Sequence, residues 1–327
     1  MTDAFYFNKE YVDKCLREIS NTKEVNLDNW DIELWRKNNP VDYLKMLAII
    51  VGYSSNPIIK NETFKIIYKI TRLYIPNQLV KYYSLTDDLY LNELKFDTLK
   101  NKQVYLSDSK AFNDPFDNKA FFYRPDTMIE FNELRHCNGK LIDDFSSYII
   151  GSSFSSAGIN AMTMWGNYAN SHQGYCVSYN TEEGGPNTDI RSFAFPIQYI
   201  RQRVDISDLM YQQTKIALDE MKRQISLGRK IISLDDLSLI FMIALLTNIK
   251  FIEWEKELEF RVSVASNSGK PYVKAIPSAI YVGLNCKPEN EEKLLHLGNE
   301  QNIPVYKMQF DEIGSSYTLS HYQLNKF

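Results

Sequence analysis

Histidine and cysteine are scarce, with four of each in 327 residues. Cys15, Cys137, Cys176 and Cys286 form no Cys-x-x-Cys pair, which argues against a disulfide framework or a structural zinc site. Isolated thiols fit a reducing compartment. Long apolar runs are also missing. The longest lies near Ile240–Leu246, far short of the roughly 20 residues a membrane span needs. The opening stretch MTDAFYFNKEYVDK has no apolar signal core. A cytoplasmic protein with no membrane partner is expected. No Lys/Arg run stands out, and the net charge is -4. That argues against a dedicated nucleic-acid binder and leaves open an enzyme acting on RNA. Glycine-rich dinucleotide and Walker loops, Gly-x-Ser-x-Gly and His-Glu-x-x-His are absent. These absences count against a classical dinucleotide fold, a P-loop enzyme, an α/β-hydrolase and a zinc protease.

What is present is globular. Hydrophobic residues make up 44% and charged residues 24%, the balance of a chain able to bury a core. Residues 1–75 read as a helical N-terminal region. Asn39-Pro40 and Asn56-Pro57 look like helix starts with proline at the first helical position. Leu44, Leu47, Ala48 and Val51 form one apolar stripe, and Phe64, Ile67 and Tyr74 another. Residues 76–327 read as an α+β core with a mixed or antiparallel sheet. Strands are expected at 78–85, 103–107, 152–156, 175–179, 257–264, 279–283 and 303–310. Helices are expected near 88–100 and 289–300, with one or two helical turns at 162–173. A helical insertion is expected at 205–250, with one helix capped by Ser207 and ended near Gly228. A second would start at Ser233, with Asp235 and Asp236 in its first turn.

Three clusters could carry chemistry. In Glu257-Leu258-Glu259-Phe260-Arg261-Val262-Ser263-Val264, a strand alternation sends Leu258, Phe260, Val262 and Val264 to the core. It puts Glu257, Glu259, Arg261 and Ser263 on the other face, the two carboxylates about 7 Å apart. Such a pair suits acid/base work, a cation or sugar hydroxyls. Arg261 could orient Glu259 or bind an anion. The same pattern also fits a solvated strand face with a weak ion pair. Around Trp165, Tyr168, His172 and Cys176, helical spacing puts Tyr168 with His172 and with Trp165. They could stack a base, or simply pack, and Cys176 reads as a small buried residue. Phe112-Asn113-Asp114-Pro115-Phe116-Asp117 could bind a metal through Asp114 and Asp117. It could equally be a turn pinned by Asx hydrogen bonds and phenylalanine anchors.

Together these clusters resemble one family, the bacterial domain-of-unknown-function family 2971, over about 78–285. The residues carrying the resemblance are Lys81-Tyr82, Phe112 to Asp117, Met164-Trp165, Tyr168-Ala169, His172, Gly174 and Cys176. Lys250, Trp254, Glu257, Glu259 and Arg261 complete the pattern. Tyr83 stands where the family often has arginine. The resemblance implies a phage-defence or toxin context.

The order of elements is also similar to that of ADP-ribosyltransferase-like folds, which implies a split sheet and NAD as substrate. By that analogy Glu259 or Glu257 steadies an oxocarbenium-like transition state and Ser107 or Ser155 supplies a hydroxyl. Tyr82, Tyr105, Trp165 or Tyr168 would line the base pocket. Lys81, Asn113, Asp114 and His172 complete the expected ligand set around a nucleotide-type small molecule. The acceptor could be protein or nucleic acid. Two alternatives remain: a Mg²⁺-dependent nuclease or phosphoesterase built on Asp114, Asp117, Glu257 and Glu259, and a non-catalytic ligand-sensing or interaction module.

Overall fold

The computed structural model describes residues 36–38, 40–52, 57–108, 112, 114–140, 145–231, 236–266, 269, 271–310, 312–314 and 317–326. The expected caps Asn39, Asn56 and Ser233 lie outside these residues, as does Asp235. The chain divides into two compact units. The first takes Met1–Tyr74, Asp108–Ile149 and Ile197–Ile252, and the second takes Ile75–Ser107, Ile150–Pro196 and Glu253–Phe327.

In chain order, α1 (Tyr43–Gly52) and α2 (Pro57–Leu73) come first. Then follow β1 (Gln78–Tyr83), α3 (Leu89–Lys100), β2 (Gln103–Tyr105), β3 (Ser107–Asp108) and β4 (Phe121–Phe122). Next are β5 (Ile149–Ser155), α4 (Met162–Tyr168), β6 (Tyr175–Asn180), α5 (Thr188–Phe193) and β7 (Ala194–Pro196). After them stand β8 (Gln198–Ile200), β9 (Val204–Asp205), α6 (Ser207–Ser226), α7 (Asp236–Leu246) and β10 (Ile249–Phe251). The chain closes with β11 (Glu259–Ala265), β12 (Tyr272–Lys274), β13 (Ala279–Val282), α8 (Pro288–Gln301), β14 (Val305–Phe310) and β15 (Leu319–Gln323). The expected α+β class is observed.

The first unit is mainly helical. Tyr43, Met46, Leu47 and Ile50 of α1 are almost fully buried, and α1 packs on α2, α6 and α7. This face is rotated from the expected stripe: Leu44, Ala48 and Val51 are only half-buried. Pro40 lies ahead of α1, whose start is instead satisfied by Asp42, which accepts from Lys45 N at 3.1 Å. Ser207 does not cap α6. It is the first helical residue, after Ile206, and its hydroxyl bonds Asp205 while accepting from Arg124 N at 2.9 Å. Gly228, at φ 71°, follows the helix as expected.

The second unit is built on a nine-stranded mixed sheet ordered β15-β14-β13-β6-β1-β5-β11-β7, with β3 beside β5. β13 and β14 run parallel because α8 carries the chain across between them. The pairs β1–β6, β13–β6, β14–β15 and β11–β7 are antiparallel. Period-two alternation sorts the two faces. Leu79, Phe154, Tyr175, Val177 and Val262 lie in one buried cluster. Val80, Tyr82, Trp165, Cys176 and Met308 lie in another. The candidate site belongs to this second face.

Candidate functional site

Strand alternation places Glu259, Arg261 and Ser263 on the face of β11 opposite Phe260, Val262 and Val264, which pack on the first cluster. All three polar residues are buried, Glu259 at 4% exposure and Arg261 at 2%. The solvated-face reading of this strand is therefore wrong. Arg261 Nη2 and Nε donate to Glu259 Oε1 at 2.9 and 3.3 Å. Ser153 Oγ of β5 donates to the same oxygen. Gly151, two residues back on β5, leaves room for the arginine stem. A Cβ there would sit 3.4 Å from Arg261 Cγ and 2.9 Å from Val262 O. Ser263 Oγ is buried with no hydrogen-bond partner. A buried ion pair of this kind resists loss of one member, since the remaining charge would lie uncompensated at a cost of about 3–5 kcal/mol.

Glu257 departs from the expected alternation. It ends a 3-10 helix, Ile252–Glu257, rather than lying on the strand. Leu258 follows with φ 45° and is 49% exposed. The left-handed residue breaks the two-residue period, so Leu258 faces out of the core instead of into it. Glu257 is nonetheless buried. Tyr168 donates its hydroxyl to Glu257 Oε1, and Ser155 Oγ donates to Glu257 O at 2.6 Å. Successive residues on one face of β5, Ser153 and Ser155, thus hold Glu259 and the Glu257 backbone. Ser155 Oγ also accepts from Ala157 N at 3.0 Å, so its hydroxyl is spent on shaping the chain. Ser153 was not singled out from the sequence, although the alternation of 152–156 places it on the face of Ser155.

The aromatic cluster is packed more tightly than a stacking platform needs. Trp165 is fully buried, and its indole N–H donates to Ile159 O at 2.7 Å. Tyr82 meets it edge-on at 5.1 Å and donates its hydroxyl to Gly158 O at 2.6 Å. The expected helical pairing of Tyr168 with His172 does not occur, because α4 ends at Tyr168. Asn170, Ser171 and His172 then adopt φ values of 48°, 53° and 68°. This left-handed turn lays His172 flat against Trp165 at 5.8 Å. His172 Nδ1 is buried and unpartnered, and burial lowers the imidazole's pKa. Such a run of non-glycine residues is strained. It is held by His172 N to Trp165 O at 3.2 Å and by Asn285 N to His172 O at 3.0 Å. Cys176 is buried as expected, and burial pushes its thiol well up, which keeps it unreactive.

Of the remaining expected residues, Lys81 stays beside the Glu259–Ser153 row and the others are dispersed. Lys81 lies on β1 with Nζ donating to Ser153 O at 3.1 Å. Tyr105 is exposed and packs on Tyr272 at 5.4 Å in a separate pair of strands. Ser107 donates to Gly151 O at 3.4 Å. Asn113 lies outside the described residues. Asp114 belongs to the first unit, where its Oδ1 accepts from Phe116 N at 2.8 Å. That is the Asx turn of the simpler reading, but Phe116 is 56% exposed, so it is not the buried anchor that reading expects. Asp114 and Asp117 are buried. Among the described residues no three His, Cys, Asp or Glu side chains are grouped so as to hold a metal ion.

Fold and site define an α+β protein with a buried polar row on one face of a mixed sheet. Residues 164–262 match a family model described as "Protein of unknown function (DUF2971)". That stretch takes in Trp165, Tyr168, His172, Cys176, Glu257, Glu259 and Arg261, part of the pattern on which the expected resemblance rests. No curated protein and no solved structure matches the chain. The likeness to ADP-ribosyltransferases rests on the order of elements alone. No helix among the described residues is long and apolar enough to cross a membrane.

Proposed function

We propose that the second unit consumes NAD, as an NAD glycohydrolase or ADP-ribosyltransferase, with Glu259 as the catalytic carboxylate. The observation that carries this reading is the buried Arg261–Glu259–Ser153 row beside the Tyr168–Glu257 bond. Breaking the bond between nicotinamide and ribose builds positive charge at the anomeric carbon. A fixed carboxylate in a low-dielectric setting stabilises that charge without reorganising at the moment of reaction. Arg261 holds Glu259 in one place. Glu257, oriented by Tyr168, would accept a hydrogen bond from a ribose hydroxyl or from the attacking group. A protein or nucleic-acid acceptor would give transfer, and water would give hydrolysis. In cells, such an activity would suit a toxin or a phage-defence effector.

The test is nicotinamide release from NAD by the purified chain, with and without chelator. The native protein should release nicotinamide equally in both. Glu259→Gln keeps the shape and an acceptor oxygen, and should lower the rate by about 100-fold or more. Native protein that is folded and releases no nicotinamide, or releases it only without chelator, would sink the reading. Expression in cells should slow growth, and Glu259→Gln should relieve it.

A further inference from the structure

The C-terminal end of α6 combines two features that its own packing does not explain. Its buried side is formed by Met210, Thr214, Leu218 and Gln224. Ile225, Leu227 and Ile231 lie off that side, exposed at 55%, 61% and 83%. Gly228 turns the chain between them, and a Cβ on it would meet nothing within 4 Å. The turn therefore stands in open space. In sequence, cations outnumber acids along the stretch that carries these aliphatic side chains. From Lys215 to Lys230 there are five cations, Lys215, Lys222, Arg223, Arg229 and Lys230, against two carboxylates, Asp219 and Glu220.

Cations in the last turn of a helix are ordinary, because they meet its negative end. That explains Lys222 and Arg223, which also form ion pairs with Glu133 at 3.0 Å and Glu220 at 2.7 Å. It does not explain Arg229 and Lys230, which lie beyond the helix and are exposed, nor the three aliphatic side chains. We propose that this helix end and the turn after it form a docking surface for an anionic lipid bilayer. Ile225, Leu227 and Ile231 would enter the interfacial layer, and Arg229 and Lys230 would meet lipid phosphate and carboxylate groups. The chemistry favours lipid over single-stranded nucleic acid, since residues 215–231 carry no aromatic ring on which a base could stack. It favours lipid over a protein partner because interface cores are depleted in lysine and enriched in aromatic residues. The contact is with the surface of the membrane, and no span is involved.

The test is sedimentation of the full chain with vesicles of phosphatidylcholine alone or mixed with phosphatidylserine. Binding to the mixed vesicles at low salt is expected, with release at high salt as the charges are screened. Replacing both Arg229→Ala and Lys230→Ala should weaken binding about thirtyfold. Leu227→Ser with Ile231→Ser should weaken it as well. All four side chains are exposed, and circular dichroism checks that each variant keeps its fold. The proposal is overturned if the native chain does not sediment with anionic vesicles at low salt. It is equally overturned by equal binding to neutral vesicles, by unchanged affinity in the charge variant, or by retention on RNA or an acidic peptide without vesicle binding.

Discussion

Lys81 shows how one residue's setting becomes a measurable property. Its ammonium lies 5.4 Å from the Tyr83 ring centre and 5.5 Å from that of Phe154. Desolvation lowers its pKa to about 8, with Glu259 opposing the shift. An unfolded lysine titrates near about 10.4. Between these values the unfolded chain binds more protons than the folded one, so this lysine makes stability rise with pH across that window. Below about 8 both states are charged and the cost of burying the cation is felt in full. Above about 10.5 both are neutral and the contribution is flat. Chemical unfolding of the native chain and of Lys81→Met, from pH 7 to 11, isolates it from the other titrating groups. The difference in stability between the two should shift in favour of the native chain as pH rises from 8 to 10.5. A difference independent of pH would show that Lys81 titrates as an ordinary surface lysine.

At the scale of elements, two glycines in one short region have opposite roles. Gly166 lies inside α4, and a Cβ there would meet nothing within 4 Å. Gly166→Ala should stabilise the protein by about 0.5–1 kcal/mol, mainly by restricting the unfolded chain. Gly174 immediately precedes β6, close to the Tyr83 carbonyl, and a Cβ would sit 1.9 Å from that oxygen. Gly174→Ala should cost at least about 2 kcal/mol, since the clash is with backbone and cannot be relieved by a rotamer change. Urea unfolding of both variants measures this contrast, and a neutral Gly174→Ala would refute the register of β1 against β6. Strands 78–83, 149–155 and 175–180 are buried on both faces over much of their length, so they were legible as short runs between turn signals, whereas 259–265 shows a local two-residue alternation of polar and apolar residues. The same alternation made Arg261 and Glu259 neighbours on one face. It failed at Leu258, whose left-handed backbone is imposed by tertiary contacts such as Ser156 N to Leu258 O at 3.0 Å. It failed again at His172, where helical spacing was assumed to continue past the end of α4. Short strands such as β4 and β9 are two residues long, too short to show any period.

At the scale of the molecule, each unit is assembled from three separate stretches of chain. Contacts between distant stretches leave no mark on local periodicity, so their partners are found only in the folded structure. The first unit makes the consequence testable. Its helices α6 and α7 are far along the chain from α1, yet they pack on it. Tyr43, Met46, Leu47, Ile50, Ile67 and Ile70 are all at least nine-tenths buried. Burying each large side chain is worth about 1.5–3 kcal/mol, whereas the whole stability of a folded domain is about 5–15 kcal/mol. Removing residues 1–74 should therefore exceed what the first unit can lose. Hydrogen exchange should show the amides of 207–226 and 236–246 losing protection in the shortened chain. Protection unchanged in both helices would mean that α1 and α2 are an appendage rather than part of that unit's core.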